Sequence, residues 1–244
     1  MENRNSNYVY ENVIQINEAD SSKKFIANVF AWMFVALGIS AFCAYIFATD
    51  STLLSMLYDL ETGRSTGLGT IVMFAPLAFV LLISFGFNRL SYGLLLLAFI
   101  AFAILMGISL SYILLLYTTG SVISVFVTAS LLFGVMAVAG YTTQQDLTKF
   151  GAILTMFLIG IVIASVVNMF LRSTGLNMII SYIGVAVFVG LTAYDVQKLK
   201  RIGAGLEYGD ASAKKMAVMG ALTLYLDFIN LFLMLLRIFG RRNN

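Results

Sequence analysis

The chain has 244 residues, 60% of them hydrophobic and only 11% charged, with 15 Lys and Arg against 12 Asp and Glu; its mean hydropathy is +0.93. An ordinary soluble domain is about 25% charged, so a water-soluble globule, a secreted disulfide scaffold and a disordered chain are excluded, and a net charge of +3 is too small and dispersed for a nucleic-acid binder. With one cysteine (Cys43) and no His, disulfides, Ser-His triads and the usual zinc sites are excluded, and proton sensing near neutral pH must fall to carboxylates.

Residues 1–22 are polar, with Glu2, Arg4, Glu11, Glu18 and Asp20 among Asn, Ser and Tyr. They lack the basic start, apolar middle and small-residue cleavage site of a signal peptide, and read as a flexible tail before a transmembrane domain at 23–244. Seven apolar runs follow at 25–48, 67–87, 92–117, 121–141, 150–171, 177–195 and 216–240. Each is close to the roughly 20 residues a helix needs to cross a bilayer, and helices satisfy every backbone group in lipid. Short loops join them, including Asp50 to Thr66, the Asn88-Arg89 turn and Thr142 to Lys149. The longest basic loop is 196–215, carrying Lys198, Lys200, Arg201, Lys214 and Lys215. No internal repeat suggests an inverted-repeat transporter.

The tail and the loops on its side carry ten Lys and Arg against five on the other, which predicts a cytoplasmic N-terminus. A re-entrant last run would improve the bias to thirteen against two. Residues 216–236, however, hold 11 Leu, Ile, Phe or Val, contributing about −3 to −6 kcal/mol to insertion against about +2.5 to +3.5 for one central Asp. The last run is therefore expected to span.

Asp227 lies near the middle of that run. Gly220, Thr223, Asp227 and Asn230 recur on one helical stripe, which predicts a polar face turned toward other helices. Gly184, Phe188, Leu191 and Asp195 form a similar stripe ending the sixth run. Arg89 stands at the turn before the third, and Asn168 and Ser165 lie on the fifth. An intramembrane Asp can serve only as interhelical glue, worth about 0.6 kcal/mol on average. Two carboxyls in a low dielectric cannot both ionise cheaply; such a pair titrates as a unit and can share a proton. Carboxylates are also ligands for hard cations such as Ca²⁺. Proton sensor, cation site and gate latch are all open to this constellation.

Ala193-Tyr194-Asp195-Val196-Gln197-Lys198, Leu222 through Phe232 with its Tyr225-Leu226-Asp227, Leu235-Leu236-Arg237, and Met106-Gly107-Ile108-Ser109-Leu110 together resemble the Bax inhibitor-1 (transmembrane Bax inhibitor motif) family, in its bacterial YetJ-like and YccA-like branch. The resemblance runs from about Lys24 to Gly240. It implies an all-α membrane protein whose C-terminal helix is enclosed by the other six. It also implies a pH-sensitive Ca²⁺ leak in the bacterial cytoplasmic membrane, gated by a proton-sharing Asp195–Asp227 pair with Arg89 as latch partner. Asp195 and Asp227 would meet the passing Ca²⁺, with Thr223, Asn230, Thr192 and Asn168 as supporting polar groups. A lipid-facing acidic residue of some members is absent, the matching stretch reading Pro76-Leu77-Ala78-Phe79.

The expectation is a monomer with no cofactor and no enzymatic activity. An intramembrane aspartyl protease would need Gly-x-Gly-Asp, whereas Tyr225-Leu226 precedes Asp227. The alternative is a regulator that engages a membrane-bound protease or another membrane partner through the tail 1–22.

Overall fold

A computed structural model describes residues 4–59, 62, 64–206 and 210–243, with side chains from Asp20 onward. Eight helices form among the described residues: α1 (Arg4–Thr49), α2 (Ser51–Leu57), α3 (Gly67–Gly86), α4 (Tyr92–Leu116), α5 (Thr119–Thr142), α6 (Thr148–Leu171), α7 (Thr174–Ala204) and α8 (Ala211–Phe239). Seven are long and apolar enough to cross a membrane, the first from Asp20 to Thr49. Most of the tail expected at 1–22 falls on residues 1–19, whose side chains lie outside the described residues.

Helix starts follow local chemistry. A side-chain oxygen just before a helix can satisfy one of its unpaired N–H groups. Thr66 accepts from Gly69 N at 3.0 Å, Ser91 from Leu94 N at 3.4 Å, and Ser173 from Leu176 N at 3.3 Å. Asp50 does the same for the short α2, accepting from Thr52 N at 2.8 Å and Leu53 N at 3.2 Å. This helix corrects the expectation of a plain loop from Asp50 to Thr66: its Leu54 and Leu57 are buried, so a capped turn with two apolar contacts suffices.

A second correction concerns the basic loop. Helix α7 runs to Ala204 and α8 starts at Ala211, so Lys198, Lys200 and Arg201 sit on helix, and only residues 205–210 separate the two. Lys and Arg are good helix formers, and two side chains of this extension, Gln197 and Lys200, bind neighbouring backbone while Arg201 binds side chains of the α5–α6 loop. Asp195 is consequently inside α7 rather than at its end.

Helix α8 is the most buried span, with 72% of its apolar window inside the protein. It packs along α1, α4, α5 and α7, while α3 stacks on α4 and α6 on α7. Four helices therefore supply its main packing, where a ring of six had been expected. Lipid tails are as apolar as leucine, so helices in a bilayer associate through close packing and small residues rather than a hydrophobic drive. Gly140 of α5 illustrates this: a methyl group there would run into the Ala193 backbone of α7. Large side chains such as Phe85, Phe170 and Ile71 point outward, as a lipid-facing surface requires.

The C-terminal segment is pinned to the α4–α5 turn. Thr118 N donates to Arg241 O at 2.9 Å, Asn243 N to Leu116 O at 2.9 Å and Arg241 N to Ser121 Oγ at 2.8 Å. This is the end of the bundle opposite the α3–α4 and α7–α8 turns, so the last helix passes through the bundle and does not double back.

Candidate functional site

The rotation of α8 is set by its aromatic residues. Tyr225 is fully buried and meets the rings of Phe99 and Phe102 edge-on at 6.4 Å and 5.3 Å. Its hydroxyl lies 2.7 Å from Ser40 Oγ, which itself donates to Ala103 O at 2.7 Å. A serine has one proton to give, so Tyr225 donates to Ser40. Phe228 packs edge-on against Phe126 and Phe133 at 5.3 Å and 5.6 Å. Residues two apart on a helix point to roughly opposite faces; with Tyr225 held against α1 and α4, Asp227 is turned toward α7.

There it comes within hydrogen-bonding reach of the Asp195 carboxyl. The residues are only 9% and 6% exposed, for Asp195 and Asp227 respectively. Asp227 Oδ2 is buried with no hydrogen-bond donor. Ionised carboxylates only accept, so two bare ones cannot bond each other, whereas a single proton makes one the donor for the other. A cleft of about 290 Å³ reaches Asp195 from the α7–α8 turn, bordered by Ser84, Phe87, Lys198, Met216 and Thr223.

The other anticipated groups are placed differently. Arg89 is exposed at the α3–α4 turn and forms no salt bridge with either aspartate; an ion pair joins Arg201 to Asp146. The cation whose charge acts on Asp195 is Lys198, one turn further along α7. Thr223, Asn230 and Thr192 lie on α8 and α7 but donate to carbonyls of their own helices, those of Met219, Leu226 and Phe188, at 3.1, 2.8 and 2.8 Å. Asn168 and Ser165 line a separate cleft at the other end of the bundle. No group of three or more His, Cys, Asp or Glu converges among the described residues. The carboxyl pair alone falls well short of the six to eight oxygens of a resident Ca²⁺ site.

Sequence reasoning also missed a clamp on the extended end of α7. Buried Gln197 accepts from Leu147 N at 2.9 Å and donates to Gln145 O at 2.7 Å. Arg201 donates to Asp146 Oδ1 at 2.9 Å, Gln197 Oε1 at 3.1 Å and Thr148 Oγ1 at 3.1 Å. Lys200 donates to Tyr141 O at 2.8 Å, and Ser22 to Lys200 O at 2.9 Å. The Thr148 hydroxyl and N–H, with Arg201, hold the Asp146 carboxyl down to about 2. The only sequence signal was the run of long polar side chains after Asp195. Lys198, three residues from Asp195, was findable from helical spacing.

Seven apolar helices around a buried dicarboxyl pair define a polytopic membrane protein with an intramembrane acidic site. A profile of the family described as "Inhibitor of apoptosis-promoting Bax1" matches residues 22–244, and the chain belongs to this Bax inhibitor-1 family. It is 47% identical over 219 residues to "Inner membrane protein YbhL" of Escherichia coli K12, covering 89% of this chain and 92% of that one. A Borreliella burgdorferi protein is 43% identical over 222 residues, covering 91% and 93%, and a Rickettsia prowazekii protein 39% over 222, covering 91% of each. The chain is thus an integral protein of a bacterial inner membrane.

Proposed function

We propose that this protein is a passive, proton-gated leak for Ca²⁺, acting as a monomer without a cofactor or a catalytic reaction, with its N-terminus in the cytoplasm. One observation carries the reading: Asp195 and Asp227, from different helices, meet in a buried place where Asp227 Oδ2 lacks any donor except a shared proton. With that proton present, the two carboxyls tie α7 to α8 and the path is shut. When it leaves, two like charges in a low dielectric repel each other, α8 shifts against α7, and the negative site draws in a divalent cation. The cleft beside Lys198 is the entry from the α7–α8 end. Two carboxylates without further acidic partners suit an ion in transit, since conduction needs binding weak enough to release.

The test is Ca²⁺ entry into liposomes holding the purified protein, followed from about pH 6 to about pH 8. Flux should rise with pH in the parent and lose this dependence in Asp227→Asn and Asp195→Asn. No flux at any pH would sink the leak and turn attention to a regulatory role toward a membrane partner.

A further inference from the structure

At the end of the bundle away from the carboxyl pair, a polar cleft of about 280 Å³ opens between the α6–α7 turn and the end of α8. Arg172 from the turn and Arg237 from α8 border it, with Ser165, Asn168, Thr174 and Asn177. No acidic residue lines it, and neither arginine forms an ion pair among the described residues. Arg172 is the one non-glycine residue with positive φ among them (φ 52°), a left-handed bend that starts the chain back into α7.

The hydrogen bonds fix which groups remain unused. Asn168 Oδ1 accepts from Ser173 N at 3.0 Å, and Asn177 Oδ1 accepts from Arg237 Nη1 at 3.4 Å. Both partners are donors, so both amides must present oxygen to them and keep their NH₂ groups free. The cleft is therefore left with two amide donors, two guanidinium groups and the three hydroxyls of Ser165, Ser173 and Thr174, and no carboxylate. We infer that it is a binding site for a phosphate-type anion, a group with several acceptor oxygens and a negative charge that arginine engages through paired N–H bonds. The anion is either the headgroup phosphate of a lipid or free phosphate. This site is independent of the proposed leak.

Native mass spectrometry of the detergent-solubilised full chain tests it. Phosphatidylglycerol is offered against an uncharged glucosyl-diacylglycerol, and unfolding midpoints are measured in inorganic phosphate against chloride at matched ionic strength. Phosphatidylglycerol should be retained over the glycolipid, with retention about tenfold lower in R172Q/R237Q. The Asn177→Asp variant sets a carboxylate beside Arg237, so it should keep the fold and still lose the lipid. The charge-matched K149Q/K214Q double at the other end should retain it. A phosphate-specific rise in midpoint that R172Q/R237Q abolishes, without lipid preference, supports the site with free phosphate as ligand. The proposal is overturned if R172Q/R237Q changes neither readout, or if K149Q/K214Q loses as much as it does.

Discussion

The Tyr225 hydroxyl donates to Ser40 Oγ across 2.7 Å, on the face of α8 away from Asp227. With Ser40 bonded onward to Ala103 O, this contact ties α1, α4 and α8 together at the depth of the carboxyl pair. Tyr225→Phe should cost about 0.6 kcal/mol, the average for interhelical hydrogen bonds in membranes, and no more than about 1.7. Ser40→Ala should cost a similar amount, and the double variant less than the sum, because both remove the same bond. Unfolding of the four proteins in mixed micelles measures this; strict additivity would show that the hydroxyls do not act as a pair.

Lys198, rather than Arg89, is the cation near Asp195. A neighbouring positive charge favours an ionised carboxyl. Under the proposed leak, Lys198→Gln should therefore move the pH midpoint of Ca²⁺ flux upward, while Arg89→Gln leaves it in place. A midpoint that moves only in Arg89→Gln would return the latch role to that residue.

The Asp146 carboxyl lies far below its ordinary 3.8, at about 2, through its bonds to Thr148 and Arg201. A depressed folded value means its contribution is complete above the unfolded value and lost as pH falls through about 2. The clamp on the α5–α6 loop should thus persist throughout the neutral and mildly acidic range. In Asp146→Asn, hydrogen exchange at residues 143–148 should quicken, with no change in the flux midpoint. A shifted midpoint would mean that this loop, too, reports pH to the gate.

Gln197 is buried and satisfies both Leu147 N and Gln145 O. Gln197→Ala leaves those backbone groups without partners, a loss of about 1 to 3 kcal/mol. The unfolding midpoint should fall measurably; an unchanged midpoint would mean that water replaces the side chain.

At Gly140, any side chain meets the Ala193 backbone, two residues before Asp195. Gly140→Leu should destabilise by about 1 to 3 kcal/mol through overpacking and, by pushing α5 off α7, disturb the carboxyl pair. Raised Ca²⁺ flux at acidic pH would report that disturbance; wild-type unfolding and flux would show that the helices part at no cost.

The pattern along the chain settles the seven spans and shows two carboxyls, Asp195 and Asp227, set in apolar runs. A run of apolar residues near the bilayer thickness leaves the backbone no alternative to helix, and a carboxyl within such a run is costly enough to need a purpose. The expected run 67–87 is α3 at Gly67–Gly86, and 92–117 is α4 at Tyr92–Leu116. Which groups meet follows from how the helices pack. Leucine-rich helices are apolar on nearly every face, so the pattern along the chain does not specify their rotation or vertical offset. Asp195 reaches Asp227 because α7 continues to Ala204 and α8 is held by Tyr225 and Phe228. Lys198 is the cation whose charge acts on Asp195, Arg89 stands exposed at the α3–α4 turn, and Asn168 borders the arginine cleft at the far end. Side-chain contacts between helices depend on angles and depths set by packing, and packing is a property of all the helices at once.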